Sequence, residues 1–255
     1  MSLHYGFARV LLDGARVHMI TERRVVAVVR RALARGDGGR IVTPNVDIVR
    51  QARHDPEVRG FLDDATLVLA DGMPLVWASH LARTPLPERV TGSSLIWSLS
   101  AGLAADRRSV YVLGGDTPAV AARAAARLAA RFPGLRIAGH LSPPFGFDAD
   151  PAAVDRVAAA VAAARPDLVF AGIGFPRQER LVSRLRPALP ATWFLGCGMA
   201  VNFVAGLHRR APVWMQKTGL EWAHRLRGEP RRLARRYLRH DAPYALRLLA
   251  TAARR

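Results

Sequence analysis

The sequence has one cysteine, few acidic residues and no long uncharged apolar run. A single cysteine, Cys197, among 255 residues excludes an internal disulfide framework and fits a reducing compartment. No apolar run near the N-terminus has the length of a secretory signal, and no stretch of about 18 uncharged apolar residues is present that would span a bilayer. We therefore expect the protein to act in the cytoplasm.

Motifs for metals and for dinucleotides are also lacking. The eight histidines show neither HxH nor HExxH spacing, and neither a P-loop nor a GxGxxG fingerprint occurs. Asp148 and Asp150 have the spacing of a metal-binding DxD pair, but they lie in a loop just before a helix, where capping suits them better. We expect no metal and no organic cofactor, which argues against a nucleotide-dependent hydrolase or dehydrogenase.

Positive charge, in contrast, is abundant and concentrated near the end of the chain. The net charge is +18, and residues 206–255 hold 13 Lys and Arg against 3 Asp and Glu. Such a basic segment indicates an anionic partner: a nucleic acid, an anionic bilayer or a diphosphate. No recognisable nucleic-acid module accompanies it. We therefore expect no nucleic-acid partner, and a basic nucleic-acid-binding α/β protein is the alternative.

Short apolar runs alternate with helical patterns along most of the chain. This alternation predicts an α/β fold, a Rossmann-like parallel sheet flanked by helices. Strands are predicted at 41–42, 67–70, 110–113, 135–138, 168–171 and 193–195, and helices at 21–34, 118–132 and 150–164. The composition changes near residue 207, which predicts a catalytic α/β domain (1–206) and a basic α-helical C-terminal appendage (207–255). Pro230 and Pro243 divide this appendage into about three short helices.

Polar residues follow the first two predicted strands. Thr43 and Asn45 come after one strand and Asp71 comes after the next, so we expect them in one cleft at the carboxyl ends of the sheet. A carboxylate there suits a general base, and Thr and Asn suit hydrogen bonds to a polar ligand. Local structure offers an alternative, since Asp71 could cap the helix that begins near Pro74, and Asn45 beside Pro44 is typical of a turn.

Later segments carry groups that suit phosphates and sugars. Gly114, Gly115 and Asp116 precede a helix, where backbone N–H groups approach a phosphate. Arg89 has a guanidinium fork that matches phosphate oxygens, although a salt bridge to Glu88 or another carboxylate would satisfy it too. In the next strand-end loop, glycines 172 and 174 clear room for a nucleotide. The amide of residue 178, a glutamine, offers both donor and acceptor groups.

These segments, in this order, resemble the WecG/TagA/CpsF glycosyltransferases, also called glycosyltransferase family 26. The resemblance covers roughly residues 8–240. It is carried by Thr43-Pro44-Asn45, Ala70-Asp71-Gly72-Met73-Pro74, Gly172-Ile173-Gly174-Phe175-Pro176-Arg177-Gln178-Glu179, Arg210-Ala211-Pro212-Val213-Trp214 and Gly219-Leu220-Glu221-Trp222. Members of that family pass a sugar from a UDP-sugar to a polyprenyl-diphosphate-linked sugar at the inner face of the bacterial membrane.

The resemblance implies roles for individual residues. Asp71 matches the proposed catalytic base. Residues matching substrate-binding positions are Thr43, Asn45, Arg89, Gln178, Arg225, Arg232 and Arg235, and the last three, with Arg209 and Arg210, would clamp the acceptor diphosphate unless they are solvated helix charges. The nucleotide is implied to contact Gly114, Gly115, Asp116, Gly172, Gly174, Pro176, Gly196 and Asn202. Asn202 departs from the family, which more often has Asp there, so uracil selectivity is open.

The expected reaction is transfer of N-acetylmannosamine, or of another sugar such as glucuronic acid, in the synthesis of a bacterial cell-surface polysaccharide. One base suffices and no second carboxylate is evident as a nucleophile, so we expect inversion at the anomeric carbon. We expect the protein at the inner face of the plasma membrane, on an anionic surface, and self-association is open. A non-catalytic relative is the remaining alternative, against which the retained Thr43, Asn45, Asp71, Arg89 and Gln178 argue.

Overall fold

The structure, a computed structural model, describes residues 6–208, 210–228 and 230–254, without the side chains of Lys217, Arg225 and Arg232. The strands are β1 (Arg9–Leu12), β2 (Ala15–His18), β3 (Gly39–Val42), β4 (Leu67–Val68), β5 (Ser109–Gly114), β6 (Arg136–Leu141), β7 (Leu168–Gly172) and β8 (Trp193–Gly196). The helices are α1 (Glu22–Ala34), α2 (Val46–Ala52), α3 (Pro56–Asp63), α4 (Met73–Leu81), α5 (Gly92–Ala105), α6 (Pro118–Arg131), α7 (Pro151–Ala164), α8 (Arg177–Leu185), α9 (Ala200–Ala205), α10 (Val213–Lys217), α11 (Glu221–Gly228), α12 (Pro230–Arg236) and α13 (Ala242–Ala252).

Internal contacts divide the chain into two compact units. Unit 1 comprises Met1–Thr21, Val42–Thr91 and Arg210–Arg255, and unit 2 comprises Glu22–Ile41 and Gly92–Arg209. The predicted boundary at 206/207 is close to the last of these divisions. The segment that follows it belongs to the same unit as the residues after β3 and β4.

The main sheet has six strands in the order β4-β3-β8-β7-β5-β6. The pairings of β3 with β8, β8 with β7, β7 with β5 and β5 with β6 are parallel. β5 is buried at every residue, as expected for a parallel strand with neighbours on both sides and helices on the faces. The predicted α/β fold with a parallel sheet flanked by helices is confirmed.

Alternate residues of the central strands of unit 2 pack against α7 and α8. Tyr111 of β5 and Val169 of β7 lie in a buried cluster with Val161 of α7 and Val182 of α8. Side chains alternate across a strand, so one face of the sheet supplies this cluster. The predicted cap is confirmed where α7 begins, since the Asp150 carboxylate accepts the Ala152 N–H at 2.9 Å.

Unit 1 contains an antiparallel hairpin, β1–β2, together with helices α2 to α4 and the helices of the tail. α13 packs against α4, and the Tyr244 hydroxyl of α13 donates to the Asp13 carboxylate in the hairpin turn at 2.6 Å. Arg236 of α12 pairs with Asp47 of α2 at 3.1 Å. These contacts hold α12 and α13 against α2, α4 and the hairpin turn.

Two predicted elements are corrected. Strand pairing in the predicted strand 67–70 ends at Val68, and Leu69 then donates its N–H to the Val42 carbonyl at 2.9 Å. The tail contains α10 to α13 and a π-helical turn, Tyr237–Asp241, where about three short helices were predicted. Pro243 does not separate two helices of the tail. It lies in the first turn of α13, where the N–H that proline lacks would make no hydrogen bond within the helix. None of the described helices is both long and apolar enough to cross a bilayer.

Candidate active site

The ends of β3 and β4 bring the first predicted site residues together in unit 1. The Asp71 N–H donates to the Pro44 carbonyl at 2.9 Å, which sets Asp71 beside the Thr43-Pro44-Asn45 segment. The Val90 N–H donates to the Ala70 carbonyl at 3.0 Å and brings the chain around Arg89 to the same strand end. The prediction that neighbouring strands deliver these residues to one edge is confirmed.

Asp71 is not the N-cap residue of the following helix. That residue is Gly72, whose φ of 153° favours glycine and which has no side chain to cap α4. Asp71 is half-buried and lies one residue earlier, shortly after the end of β4. Its role as a base stays a prediction.

Asn45, in contrast, has a clear structural role. Its Oδ1 accepts the Ile48 N–H at 3.1 Å and caps α2, so a ligand contact would use the amide nitrogen. Asp47, which follows two residues later, is buried and binds Arg50 and Arg236 at 2.7 and 3.1 Å. Asp47 thus serves to hold the tail.

Arg89 forms an ion pair with a carboxylate of the tail. Its guanidinium lies 2.9 Å from Glu221 of α11, and Arg210 lies 3.2 Å from the other oxygen of the same carboxylate. Arg210 also donates to the Thr91 hydroxyl at 3.2 Å. The salt-bridge alternative for Arg89 therefore holds in this structure, with Glu221 as the partner. Phosphate binding by Arg89 stays a prediction.

The charge state of Glu221 follows from this network. Burial opposes ionisation of the carboxyl, but the charges and hydrogen bonds of Arg210 and Arg89 together outweigh burial and lower its pKa. Glu221 is therefore ionised at neutral pH. Two guanidinium groups gathered on one anion form an arrangement that also suits a phosphate.

The glycines of unit 2 serve two different purposes. A side chain on Gly172 would meet Val201 at 2.6 Å and the Gly198 carbonyl at 2.9 Å, so this glycine makes room for α9. Its predicted contact with the nucleotide stays a prediction. The space that a side chain would take is also filled at two other glycines. Gly172 fills it at Gly114, and the side chains of residues 178 and 179 fill it at Gly196. Gly174 differs, because it has a φ of +85° and only the Arg177 guanidinium, 3.6 Å away, lies near its missing Cβ.

Asn202 is buried and faces Asp116 of the glycine loop. Its Oδ1 accepts the Asp116 N–H at 3.1 Å, and its Nδ2 donates to the Asp116 carboxylate at 2.7 Å. With 2% of its surface exposed, Asn202 has its amide engaged within the protein. An Asp at residue 202 could not donate to the Asp116 carboxylate in this way. The expected direct contact of Asn202 with uracil stays untested.

Gln178 belongs to a second buried network. Its Nε2 donates to Glu179 at 3.0 Å, and its Oε1 accepts the Gly198 N–H at 3.2 Å. Glu179 in turn pairs with Arg40 of β3 at 2.6 Å, and both side chains are 1% exposed. Gln178 thus holds the turn after β8 through its Oε1 and contacts its neighbour Glu179 on α8 through its Nε2. Its predicted contact with a ligand stays a prediction.

Cys197 is a buried free cysteine. Burial and the negative charge of Glu179 raise the pKa of its thiol, so the thiolate is disfavoured. Among the residues that the structure describes, no three His, Cys, Asp or Glu side chains gather as they would around a metal ion. Metal-independent chemistry stays a prediction.

The tail arginines are described only in part. Arg235 is exposed on α12, whereas the side chains of Arg225 and Arg232, and all of Arg209, lie outside the described residues.

Sequence reasoning assigned no role to Glu221 or Arg40, which organise the two networks. The Arg89–Glu221 pair joins residues 132 positions apart, and no sequence pattern indicates such a pairing.

Comparison with known proteins extends over nearly the whole chain. The family described as "Glycosyl transferase WecG/TagA/CpsF family" matches residues 10–255. An N-acetylglucosaminyldiphosphoundecaprenol N-acetyl-beta-D-mannosaminyltransferase of Bacillus spizizenii strain W23 is 32% identical over 203 residues, which are 80% of this chain and 76% of that protein. Proteins of the same name from Bacillus subtilis strain 168 and Staphylococcus aureus strain MW2 are 30% and 29% identical, over 74% and 76% of this chain and 71% and 74% of theirs.

Proposed function

Because the chain belongs to the WecG/TagA/CpsF family of glycosyl transferases, we propose that it moves a sugar from a UDP-sugar to a sugar carried on a polyprenyl diphosphate. The names of its relatives give N-acetylmannosamine as the transferred sugar and N-acetylglucosaminyldiphosphoundecaprenol as the acceptor. These names support N-acetylmannosamine as the first donor sugar to test. Glucuronic acid is the second, because the resemblance to the family implies it as another donor. The product would be an intermediate of a bacterial cell-surface polysaccharide.

The observation that carries this proposal is the position of Asp71 at the end of the sheet, where its backbone N–H bonds to the Pro44 carbonyl between Thr43 and Asn45. Asp71 takes the proton of the acceptor hydroxyl as its oxygen bonds to the anomeric carbon. The bond from that carbon to the diphosphate breaks, and UDP leaves with the bonding electrons. A single displacement from the opposite face inverts the anomeric centre. A general base of this kind contributes about 10²- to 10⁴-fold in rate.

Arginines, rather than a metal, would offset the charge of the two diphosphates. Arg89 and Arg210 already share one carboxylate, and a diphosphate oxygen would compete with Glu221 for the same donors. Arg225, Arg232 and Arg235 of the tail would bind the acceptor diphosphate. The nucleotide would lie at the carboxyl ends of β5, β7 and β8 in unit 2, along Gly114, Gly115, Asp116, Gly172, Gly174, Pro176, Gly196 and Asn202.

The tail would place the protein on the inner face of the plasma membrane. Val213, Trp214, Trp222, Leu238 and Leu246 are exposed apolar residues, set among the arginines of residues 206–255. A basic surface with exposed aromatic and aliphatic side chains suits an anionic bilayer. Such a position would bring the enzyme to its lipid-linked acceptor.

The deciding experiment measures UDP release from a panel of UDP-sugars, with a lipid-diphosphate-linked N-acetylglucosamine acceptor in detergent and with EDTA present. We expect acceptor-dependent release by the wild type, and at least about 100-fold less by Asp71→Asn, which keeps the shape of the side chain but not its basicity. Equal release by the variant would remove Asp71 from the mechanism. No release by either protein with any pair of substrates would favour a non-catalytic relative.

A further inference from the structure

Helix α4 is apolar on both of its sides. Leu75 and Ala78 are fully buried, whereas Trp77 is 41% exposed and Leu81 is 46% exposed. Met73, Trp77 and Leu81 recur every four residues, which places them on one side of the helix, and they form the apolar stripe of α4. A helix that is apolar all round is buried all round in a folded protein. The described residues cover the stripe only in part, which indicates a further apolar partner.

The apolar stripe begins next to the proposed base. Met73 is the first residue of α4 and follows Asp71 by two positions, just after the strand end where Asp71 bonds to Pro44. An α-helix rises about 1.5 Å per residue, so the stripe extends about 12 Å along α4 away from Asp71. The near end of this apolar surface is therefore at the place where the acceptor hydroxyl reacts in the proposed function.

The turn between α10 and α11 packs on the first half of the stripe. A Cβ on Gly219 would lie 2.9 Å from the Cβ of Met73 and 2.9 Å from the ring of Trp77. Gly219 also has a φ of +77°, so both space and backbone conformation require glycine here. Leu81 lies one helical turn beyond Trp77, which leaves the far half of the stripe open to a ligand.

Positive charge lies next to this apolar surface within unit 1. Glu221 follows Gly219 by two residues and pairs with Arg89 at 2.9 Å and with Arg210 at 3.2 Å. Residues 219–221 thus connect Trp77 to the two arginines proposed for a diphosphate. A ligand with a diphosphate at one end and an apolar chain at the other matches both features, because guanidinium groups bind phosphate and burial in water favours the chain.

We propose that the polyprenyl chain of the acceptor lies along the apolar stripe, against Trp77 and Leu81. The inference rests on the proposed function, since it gives a place to one part of the acceptor named there. The stripe is about two helical turns long, so it takes the isoprene units nearest the diphosphate and leaves the rest of the chain to the bilayer. Its start beside Asp71 favours this chain over the acyl chains of membrane lipids.

The test compares two acceptors that share one head group, by calorimetry without lipid or detergent. Both carry N-acetylglucosamine on a diphosphate; one ends in a farnesyl group, used below its micelle-forming concentration, and the other in a methyl group. We expect the wild type to bind the farnesyl acceptor at least about tenfold more tightly, because only its chain covers the stripe. Since no bilayer is present, membrane lipids cannot produce this preference.

Substitutions in the stripe should remove the preference for the farnesyl acceptor. We expect Leu81→Ser and Trp77→Ser each to reduce it to about threefold or less, with binding of the methyl acceptor unchanged within about twofold. Trp77→Leu keeps an apolar side chain and should restore most of the preference. Leu207→Ser is the matched control, because Leu207 is a leucine of similar exposure, 43%, in unit 2. Thermal unfolding of each variant checks that the fold is intact.

The outcomes separate this inference from the proposed function. Wild-type protein that binds neither acceptor would overturn both. Wild type that binds the two acceptors equally well would overturn only the contact of the chain with the stripe. A preference that survives in Leu81→Ser and Trp77→Ser would also overturn it, because the chain would then lie elsewhere. Stripe variants that keep the preference but lose binding to lipid vesicles would assign the stripe to the bilayer instead.

Discussion

Arg40 and Arg30 form ion pairs of the same length in opposite surroundings. Arg40 lies 2.6 Å from Glu179 with both side chains 1% exposed, and Arg30 lies 2.6 Å from Asp106 at the surface. Solvent screens the surface pair, whereas the buried pair leaves an uncompensated charge when one partner is removed. Equal distances therefore correspond to different energies.

We expect Arg40→Met to lower the free energy of unfolding by about 3–5 kcal/mol, and Arg30→Met by no more than about 1 kcal/mol. Urea unfolding of both variants measures the difference. Adding Glu179→Gln to Arg40→Met should recover part of the loss, because it removes the stranded charge. Similar losses for the two single variants would show that the Arg40 pair is not desolvated.

Asp116 and Asn202 pair a carboxylate with an amide, and exchanging the two residue types tests how far each depends on the other. Asn202→Asp would set two carboxylates against each other where a 2.7 Å hydrogen bond now lies. We expect a loss of about 1–3 kcal/mol in unfolding free energy and weaker UDP binding. The exchanged double variant, Asp116→Asn with Asn202→Asp, should recover most of both. If the double variant is as weak as the sum of the single ones, the pair is not coupled.

At the scale of elements, the strands and their ends were predictable because short apolar runs and the polar residues after them are local patterns. Thr43 and Asp71 were placed at neighbouring strand ends on that basis, and the backbone bond between residues 71 and 44 confirms it. The partners of Arg89 and Glu179 were not predictable. Glu221 lies 132 positions from Arg89 and Arg40 lies 139 positions from Glu179, and only packing brings them close.

The first residue of α11, Glu221, has a titratable carboxyl group that pairs with Arg89 in the segment between α4 and α5. The pKa of Glu221 is lowered from the usual 4.5, so its protonation in the folded state requires lower pH than in the unfolded state. The pairing therefore adds stability above pH 4.5, and this stability is lost as the pH falls through the lower folded value.

We expect Glu221→Gln to reduce stability at neutral pH and to have a progressively smaller effect as the pH falls below 4.5 through the lowered pKa of the folded state. Unfolding midpoints in urea across this range measure the effect. Glu88→Gln is the matched control, since Glu88 is exposed and adjacent to Arg89 in the sequence. An effect of Glu221→Gln that is constant with pH would mean that its ion pairs do not form in solution.

At the scale of the whole molecule, charge and exposed apolar groups lie in the same tail. The described part of the tail belongs to unit 1, through contacts such as Tyr244 with Asp13. Deleting the tail would therefore disrupt unit 1 as well as any membrane contact. Point substitutions of exposed residues separate the two effects.

We expect the protein to bind vesicles of anionic lipid. Its affinity for them should fall about tenfold when salt is raised from 0.1 to 1 M, because the electrostatic screening length shortens to about 3 Å. Trp214→Ser and Leu246→Ser, which alter exposed apolar residues of the tail, should each weaken binding several-fold. Leu11→Ser, at an exposed residue outside the tail, should not. Cosedimentation with anionic and zwitterionic vesicles makes the measurement, and equal binding to both would contradict an electrostatic contribution.

Unit 1 is built from three separated stretches of chain, the last of which begins at Arg210. During synthesis on the ribosome, all of unit 2 has been translated before that stretch is made. Domains fold as units while the chain emerges, so unit 2 can reach its native contacts first. The segment that contains Asp71 is translated early, but it can complete its native contacts within unit 1 only after the residues from 210 onward have left the exit tunnel.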